Sequence, residues 1–585
     1  MGIFKRLSWF FKQEKKSYLL GILSLVIVAI LQLIPPRIIG IVVDEIGMNE
    51  ITQSSLVYWL TILASTALGQ YLLRYLWRVK IWGNAAKLEA IVREQLYNHF
   101  TNMDSNFFQK YRTGDLMAHA TNDLRGLRMV AGGGILTLAD AISVGLTTLV
   151  AMIFVVDWRL TLIAVIPLPL LAIASRVLGK KLHLRFRDAQ AAFSLLNDKV
   201  QESIQGIKVI KTFGQEKEDI EDFDVQTDRV VEKNKDVYKI DSLFDPAITF
   251  IMGMSYFLTI FIGGLLIMGN EITIGDFVTF INYIGMLVWP MFAIGRLFNI
   301  IERGSASYDR IENLLREETS IIERQGAVEK PISGNLTFAI DSFNYPDADA
   351  DAETLKDIHF TLPAGGTLGI VGRTGAGKTS ILKLLLREHD HYKGQITYGG
   401  YDIRDYTLDA LLKPIGYVPQ DNYLFSNTIR ENIRFADPTL SQSAVEAAAK
   451  LANIHDDIVD LPNGYDTEVG ERGVSLSGGQ KQRISIARAV LINPELMILD
   501  DSLSAVDAKT EEIILSGLKR VRQGQTTIIA AHRISSVMHA EEIIVVDDGT
   551  IVERGTHDQL LEVDGWYKDM YQQQQLERKI EGEDQ

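Results

Sequence analysis

Gly372-Arg-Thr-Gly-Ala-Gly-Lys-Thr379 has the Gly-x-x-x-x-Gly-Lys-[Ser/Thr] spacing of a phosphate-binding loop. Its flanks agree with that reading. Thr367-Leu-Gly-Ile-Val371 is a short apolar strand, and Ser380-Ile-Leu-Lys-Leu-Leu-Leu386 has the leucine spacing of a helix that starts where the loop ends. A nucleoside triphosphate site follows. The backbone N–H groups of Gly372, Arg373, Thr374, Gly375, Ala376 and Gly377 would wrap a phosphate at the helix N-terminus, which runs on through Ser380. Lys378 would reach the β/γ-phosphates, and the Thr379 hydroxyl would lie on Mg²⁺. An ordinary glycine-rich turn is the alternative for this octet alone, and the motifs further along remove it.

Working outward, the 585 residues are too many for one core at ~150 residues per domain. Composition divides them in two near residue 310. Long apolar runs precede that point, and none after it approaches the ~18 residues needed to cross a bilayer. A net charge of -15 argues against a general nucleic-acid binder, which needs a basic surface. The absence of cysteine excludes disulfides, thiolate metal sites and a cysteine nucleophile.

Apolar length places six membrane spans, at 18–42, 55–77, 131–156, 160–178, 246–268 and 277–300. The first is too long for a signal peptide and lacks a small-residue cleavage site. Connections after spans one, three and five are short and weakly basic. Those at 78–130 and 179–245 are rich in lysine and arginine, as is the N-terminus, so they and both chain termini are assigned to the cytoplasm of a cell-membrane protein. Helical periodicity persists through both, as in Ala85-Ala-Lys-Leu-Glu-Ala-Ile-Val-Arg-Glu-Gln-Leu96, so the helices extend well beyond the bilayer. Reversal points are expected at Phe108–Leu116 and Thr212–Lys217, each with a short transverse helix able to dock on the nucleotide-binding domain. Asp140 is the deepest acidic residue in a span; it either faces a wet cavity that attracts cations or hydrogen-bonds within the bundle.

Beyond a linker, Tyr345 stands some thirty residues before the phosphate loop, where an aromatic ring can stack on a base. Ile415-Gly-Tyr-Val-Pro-Gln420 ends a strand with an amide that can reach Mg²⁺ and the attacking water. Leu476-Ser-Gly-Gly-Gln480 opens a helix, so that Ser477, Gly478 and Gly479 form a second phosphate-binding helix N-terminus with Gln480 in its first turn. Leu496-Met-Ile-Leu-Asp500 is a buried strand ending in a carboxylate suited to Mg²⁺. Ser504-Ala-Val-Asp507 follows, and Thr526-Thr-Ile-Ile-Ala-Ala-His532 brings a histidine to the γ-phosphate.

In this order, the motifs resemble one half of an ATP-binding cassette (ABC) exporter of the type IV, B-family-like kind, over essentially the whole chain. The Leu476–Gln480 signature is the most specific mark. The resemblance implies an α-helical six-span transmembrane domain at 1–313, a linker at 314–334 and an α/β P-loop nucleotide-binding domain at 335–585. It implies ATP and Mg²⁺ as ligands, Tyr345 as the adenine-stacking residue, Gln420 as the Q-loop glutamine, Asp500 as the Walker B aspartate and His532 as the switch histidine. Thr467–Gly473 resembles the segment that contacts the membrane extensions. Within the family the chain is similar to subunits of bacterial heterodimeric multidrug exporters, which implies a second, non-identical half as partner, the lipid bilayer as its setting, and hydrophobic or amphipathic cargo.

One position departs from the pattern. Asp501 stands where the family has a catalytic glutamate. Losing one methylene withdraws the carboxylate by roughly 1 to 1.5 Å from the attacking water. Misplacement on that scale costs ~10²-fold, or about 2.7 kcal/mol of barrier, so this chain's own site should bind ATP and hydrolyse it slowly. Export of lipid or lipopeptide, or flipping of lipid, is a rival reading. An ATP-gated regulatory membrane protein is another.

Overall fold

The structure, a computed structural model, describes residues 2–583 except 347, 349–352 and 471–474. The chain separates into two compact units, Met1–Asn102 with Arg112–Glu317, and Met103–Tyr111 with Glu318–Gln585.

Among the described residues of the first unit, six helices are long and apolar enough to cross a membrane: Lys15–Gly47, Gln53–Thr101, Thr113–Val156, Trp158–Gln205, Glu216–Met268 and Ile274–Leu315. Each contains one expected span and most run far past it. The first is interrupted after Leu31 and resumes at Ile34, with Pro35 and Pro36 in the opening turn, where a missing N–H costs no helical bond. Side chains set the turns between spans. Thr52 and Ser55 form a reciprocal cap on Gln53–Thr101, Asp157 accepts from the backbone N–H of Arg159 (2.8 Å) and Leu160 (3.0 Å), and Thr273 caps Ile274–Leu315. Asp44 accepts from Gly275 N–H at 2.7 Å and from Thr273 Oγ1 at 2.6 Å, tying the end of the first long helix to the start of the last. Phe280, Ile284, Leu287, Met152 and Leu160 belong to one buried apolar cluster of this unit. Asp140 lies in the bundle and accepts from Trp289 Nε1 at 2.8 Å.

Both reversals are short helices lying somewhat before the expected positions, at Ser105–Lys110 and Ile207–Phe213. Caps decide where they fall. Asp104 accepts from Phe107 N–H at 3.0 Å and starts the first, while Gly214, at φ +65°, ends the second. The first belongs to the second unit. Asp104 also accepts from the backbone N–H and hydroxyl of Ser320 (2.5 and 2.6 Å), Asn106 donates to Ser320 Oγ (2.9 Å), and Ser105 donates to Glu388 (3.2 Å). The second helix buries none of its residues and leaves Ile207, Val209 and Phe213 exposed.

The second unit is built on two sheets. Six strands lie in the order Thr550–Gly555, Glu542–Asp547, Thr367–Gly372, Thr526–Ala530, Leu496–Asp500, Ile415–Val418, all parallel except the first. The central strands are apolar along their length because both faces are covered. An antiparallel sheet packs Phe338 and Phe360, stacked at 5.0 Å, into one core with Leu368, Ile370, Ile498 and Ile544. The six-span helical part and the α/β part together give the fold class expected from sequence.

Candidate nucleotide site

Parallel strands side by side deliver their C-terminal ends to one edge, the usual place for a ligand crevice in such sheets. Thr367–Gly372 delivers the phosphate loop, Leu496–Asp500 delivers Asp500 and Asp501, Thr526–Ala530 delivers His532, and Ile415–Val418 delivers Gln420.

The loop is shaped by its glycines. Gly375 and Gly377 hold φ of +83° and +105°, and a Cβ on Gly377 would lie 2.7 Å from Leu355 Cδ2, so no other residue fits there without strain. Lys378 opens the helix Lys378–Leu385 and folds back over its own loop, donating from Nζ to the carbonyls of Gly372 and Arg373, both at 2.9 Å. Burial lowers its ammonium pKa, and the charges of Asp501 and Asp500 oppose that shift. A buried cation held only by carbonyls suits an incoming phosphate. Arg373, Thr374 and Gly375 are exposed at the loop rim, and Ala376 is buried beneath it.

Thr379 donates to Asp500 Oδ1 at 3.2 Å. Burial raises the Asp500 carboxyl; the Thr379 bond works against this and the neighbouring Asp501 adds to it. One hydroxyl and one carboxylate converging beside the phosphate loop form an oxygen set of the kind Mg²⁺ takes. Gln420 stands exposed past its strand. Burial, then the Lys378 charge, lowers the pKa of His532, with Asp501 opposing, so these three groups share one electrostatic environment. Asp501 adopts φ +44°, rare for a residue with a Cβ, and is held there by its N–H donating to Ala530 O at 2.7 Å and by Ser504 Oγ donating to its carbonyl at 2.9 Å. The Tyr345 hydroxyl meets Ser380 Oγ at 2.9 Å, anchoring that ring to the helix that carries the loop.

Ser477 caps the helix Gly478–Leu491 in a reciprocal box with Gln480, whose amide also donates to Asp457 at 3.2 Å. Gly479 packs on the Ser504–Asp507 turn, where a Cβ would lie 2.8 Å from Ala505 O. Among the described residues, no hydrogen bond joins this turn to the phosphate loop. The structure thus gathers Tyr345, Gly372–Ser380, Gln420, Asp500, Asp501 and His532 on one edge, and sets Ser477–Gln480 beside Ser504–Asp507.

Residues 18–291 match the family described as the ABC transporter transmembrane region, and residues 355–504 the family described as ABC transporter. A probable multidrug resistance ABC transporter ATP-binding/permease protein, YheI of Bacillus subtilis (strain 168), is 44% identical over 99% of both chains. The chain belongs to the ABC transporter family. The multidrug resistance-like ATP-binding protein MdlA of Buchnera aphidicola subsp. Schizaphis graminum (strain Sg) is 45% identical over 99% of this chain and 100% of that one. The structure of a bacterial Atm1-family ABC exporter with ATP bound is similar at a TM-score of 0.78 and 26% identity, covering 96% of this chain and 99% of that one. This ABC transporter is therefore a multi-pass membrane protein of exporter fold, with an ATP-binding domain that couples hydrolysis to transport.

Some features of the ABC domain escaped sequence reading. Arg533 donates to the carbonyls of Val506 (3.0 Å) and Ser504 (3.2 Å) and to the buried Glu511 (2.9 Å), so the residue after His532 holds the Ser504–Asp507 turn in place. Gln482 Oε1 accepts from Ala505 N–H at 3.0 Å on the other side of that turn. A charged residue after a strand-end histidine was the available signal for Arg533; nothing in the spacing singled out Gln482. Of the Thr467–Gly473 segment, Thr467 is buried and Glu468–Val469 pairs with Asn427–Thr428, while residues 471–473 lie outside the described residues.

Proposed function

We propose that this chain is one half of a heterodimeric exporter that uses ATP to move hydrophobic or amphipathic compounds, drugs included, out of the cell. The observation that carries this reading is the outward-facing signature turn. Ser477 and Gly478 are exposed at the start of a 14-residue helix whose first turn contacts Asp457 and Ala505, and among the described residues no hydrogen bond joins that turn to the phosphate loop. A helix N-terminus of this kind is completed by an anion, and a second chain's nucleotide would supply one. The exposed Ile207, Val209 and Phe213 give further support for a partner.

Within this reading Tyr345 stacks on adenine, the Gly372–Ser380 loop holds the phosphates, and Lys378 leaves its two carbonyls for the β/γ-phosphates. Thr379, Asp500 and Gln420 would hold Mg²⁺, which when bound neutralises charge on the phosphoryl oxygens. His532 contacts the γ-phosphate, and Asp501 is a general base set back by its short side chain, so the fast site belongs to the partner. The ATP-binding domain and both termini lie in the cytoplasm, with domain limits at 1–313, 314–334 and 335–585.

The test is copurification followed by vesicle transport. The reading expects a second ABC half carrying glutamate after its Walker B aspartate, and ATP-dependent drug accumulation by the pair. A fully active homodimer overturns the heterodimer. Lipid movement without drug accumulation replaces the cargo, and ATP-dependent conductance without accumulation replaces export by gating.

A further inference from the structure

The start of the first span and the long second helix border a cleft of about 400 Å³ whose lining includes Glu14, Lys15, Lys16, Ser17, Leu20 and Lys80. Lys15 and Lys16 open the helix Lys15–Leu31, and Lys80 lies on Gln53–Thr101. The two helices meet closely at Gly21, where a Cβ would lie 2.9 Å from Ile81 Cγ1 and 3.5 Å from Lys80 Cβ. That approach brings the Lys80 stem against the first helix beside Leu20 and about one turn from Ser17.

Charge in the cleft is unbalanced. Its one acid, Glu14, is taken by Lys87 from outside the cleft. Among the described residues, Lys15, Lys16 and Lys80 have no ion-pair partner, which leaves three ammonium groups from two helices around one space. The apolar side of the cleft continues into the span. Leu20 is 41% exposed, and Leu23 (53%) and Ile27 (38%) extend the same helix face at spacings of three and four residues. Cations at the end of an apolar helix sit at the membrane–water interface, and an exposed aliphatic stripe leading away from them lies among acyl chains. The ligand that matches both halves is an amphiphile with an anionic head. Basic pockets between helices at this depth hold lipid phosphate groups, and Lys binds phosphate as a compact point charge with three donors.

We propose that this cleft binds the phosphate of an anionic phospholipid through Lys15, Lys16 and Lys80, with the acyl chain along Leu20, Leu23 and Ile27. The site needs nothing from the ATP-binding half and does not depend on what the transporter carries. A zwitterionic lipid of the same chain length would gain the stripe but bring a phosphate already balanced by its own ammonium, and inorganic phosphate would gain the cations without the stripe.

The test titrates the intact chain in detergent micelles with phosphatidylglycerol, with phosphatidylcholine of the same acyl length, and with inorganic phosphate, counting bound lipid by native mass spectrometry. Retention of phosphatidylglycerol over phosphatidylcholine is expected, weakening as ionic strength rises. Lys15→Gln/Lys16→Gln/Lys80→Gln should lower phosphatidylglycerol affinity by roughly 100-fold, at about fivefold per lysine, and phosphatidylcholine affinity far less, because its phosphate is offset by its own choline. Lys80→Gln alone, on an otherwise intact cleft, should lower it about fivefold and serves if the triple variant does not fold. Equal affinity for the two lipids in the wild-type chain, or unchanged phosphatidylglycerol affinity in Lys80→Gln, overturns the proposal. Displacement of phosphatidylglycerol by equimolar inorganic phosphate overturns it in favour of a free-anion site.

Discussion

The Thr379 hydroxyl donates to Asp500 Oδ1 across 3.2 Å, joining the first turn of the phosphate-loop helix to the end of a strand two places away in the sheet. Lys378, drawn over its loop carbonyls, adds a second set of protein contacts to the same site. Lys378→Ala should therefore weaken ATP binding at this site by at least tenfold with little loss of stability, because the loop amides and the Thr379–Asp500 bond remain. Site-resolved nucleotide titration checks it, and unchanged affinity would mean the loop holds no triphosphate.

Asp501 and Gly478 allow the asymmetry to be tested. On the proposed reading, in which the shorter Asp501 side chain sets its carboxylate back from the attacking water, Asp501→Asn should change steady-state ATPase of the purified pair by less than about twofold. Gly478→Asp places a negative side chain at an exposed helix N-terminus, which in the proposed pair would close over the partner's γ-phosphate, and turnover should collapse. Equal damage from both would make Asp501 a full catalytic base.

Asp104 joins a short helix to a segment more than two hundred residues later. Its carboxyl is held below the ordinary range even though burial acts in the opposite direction; bonds from Ser320, Phe107 N–H and Thr319 outweigh it. Asp104→Ala removes a cap worth about 1 kcal/mol together with the bonds to 319–320. Hydrogen exchange at 105–110 and at 319–322 should accelerate together. Acceleration at only one of the two would show that they are not coupled through this carboxylate.

His389 gives a pH dependence of definite sign. The ring is fully buried against Phe343, Tyr345 and His391, and burial, with the His391 and Lys383 charges, pushes its pKa down to about 4, Asp104 opposing. Unfolded histidine titrates near 6.5, so between ~6.5 and ~4 the unfolded chain holds the extra proton. The contribution is complete above that window and is lost as pH falls through it. His389→Phe should flatten this part of the thermal-stability profile of the ATP-binding domain; identical slopes in the two proteins would rule out His389 as the titrating group.

Sequence made the local features legible and left the long-range ones hidden. Apolar length locates the six spans because membrane burial imposes a continuous apolar run, and the phosphate loop is readable because its chemistry lies within eight consecutive residues. The short helices fell a few residues early because Asp104 and Gly214, rather than the charge pattern, set their limits. Arg533 reaching Ser504 and Val506, and Asp104 reaching Ser320, depend on which segments the fold places side by side, and no local spacing encodes that. Of the two readings of Asp140, the bond from Trp289 matches hydrogen bonding within the bundle, a pairing no local spacing encodes.

That Met103–Tyr111 folds with Glu318–Gln585 bears on how this protein can be taken apart. A soluble fragment beginning at the linker would lack these nine residues, leaving Ser320 and Glu388 without the partners they have in the whole chain. Nucleotide affinities and melting temperatures measured on such a fragment would describe a domain missing part of its own surface. Covalently appending 103–111, or working with the intact transporter, restores the piece that sequence order assigns to the other half.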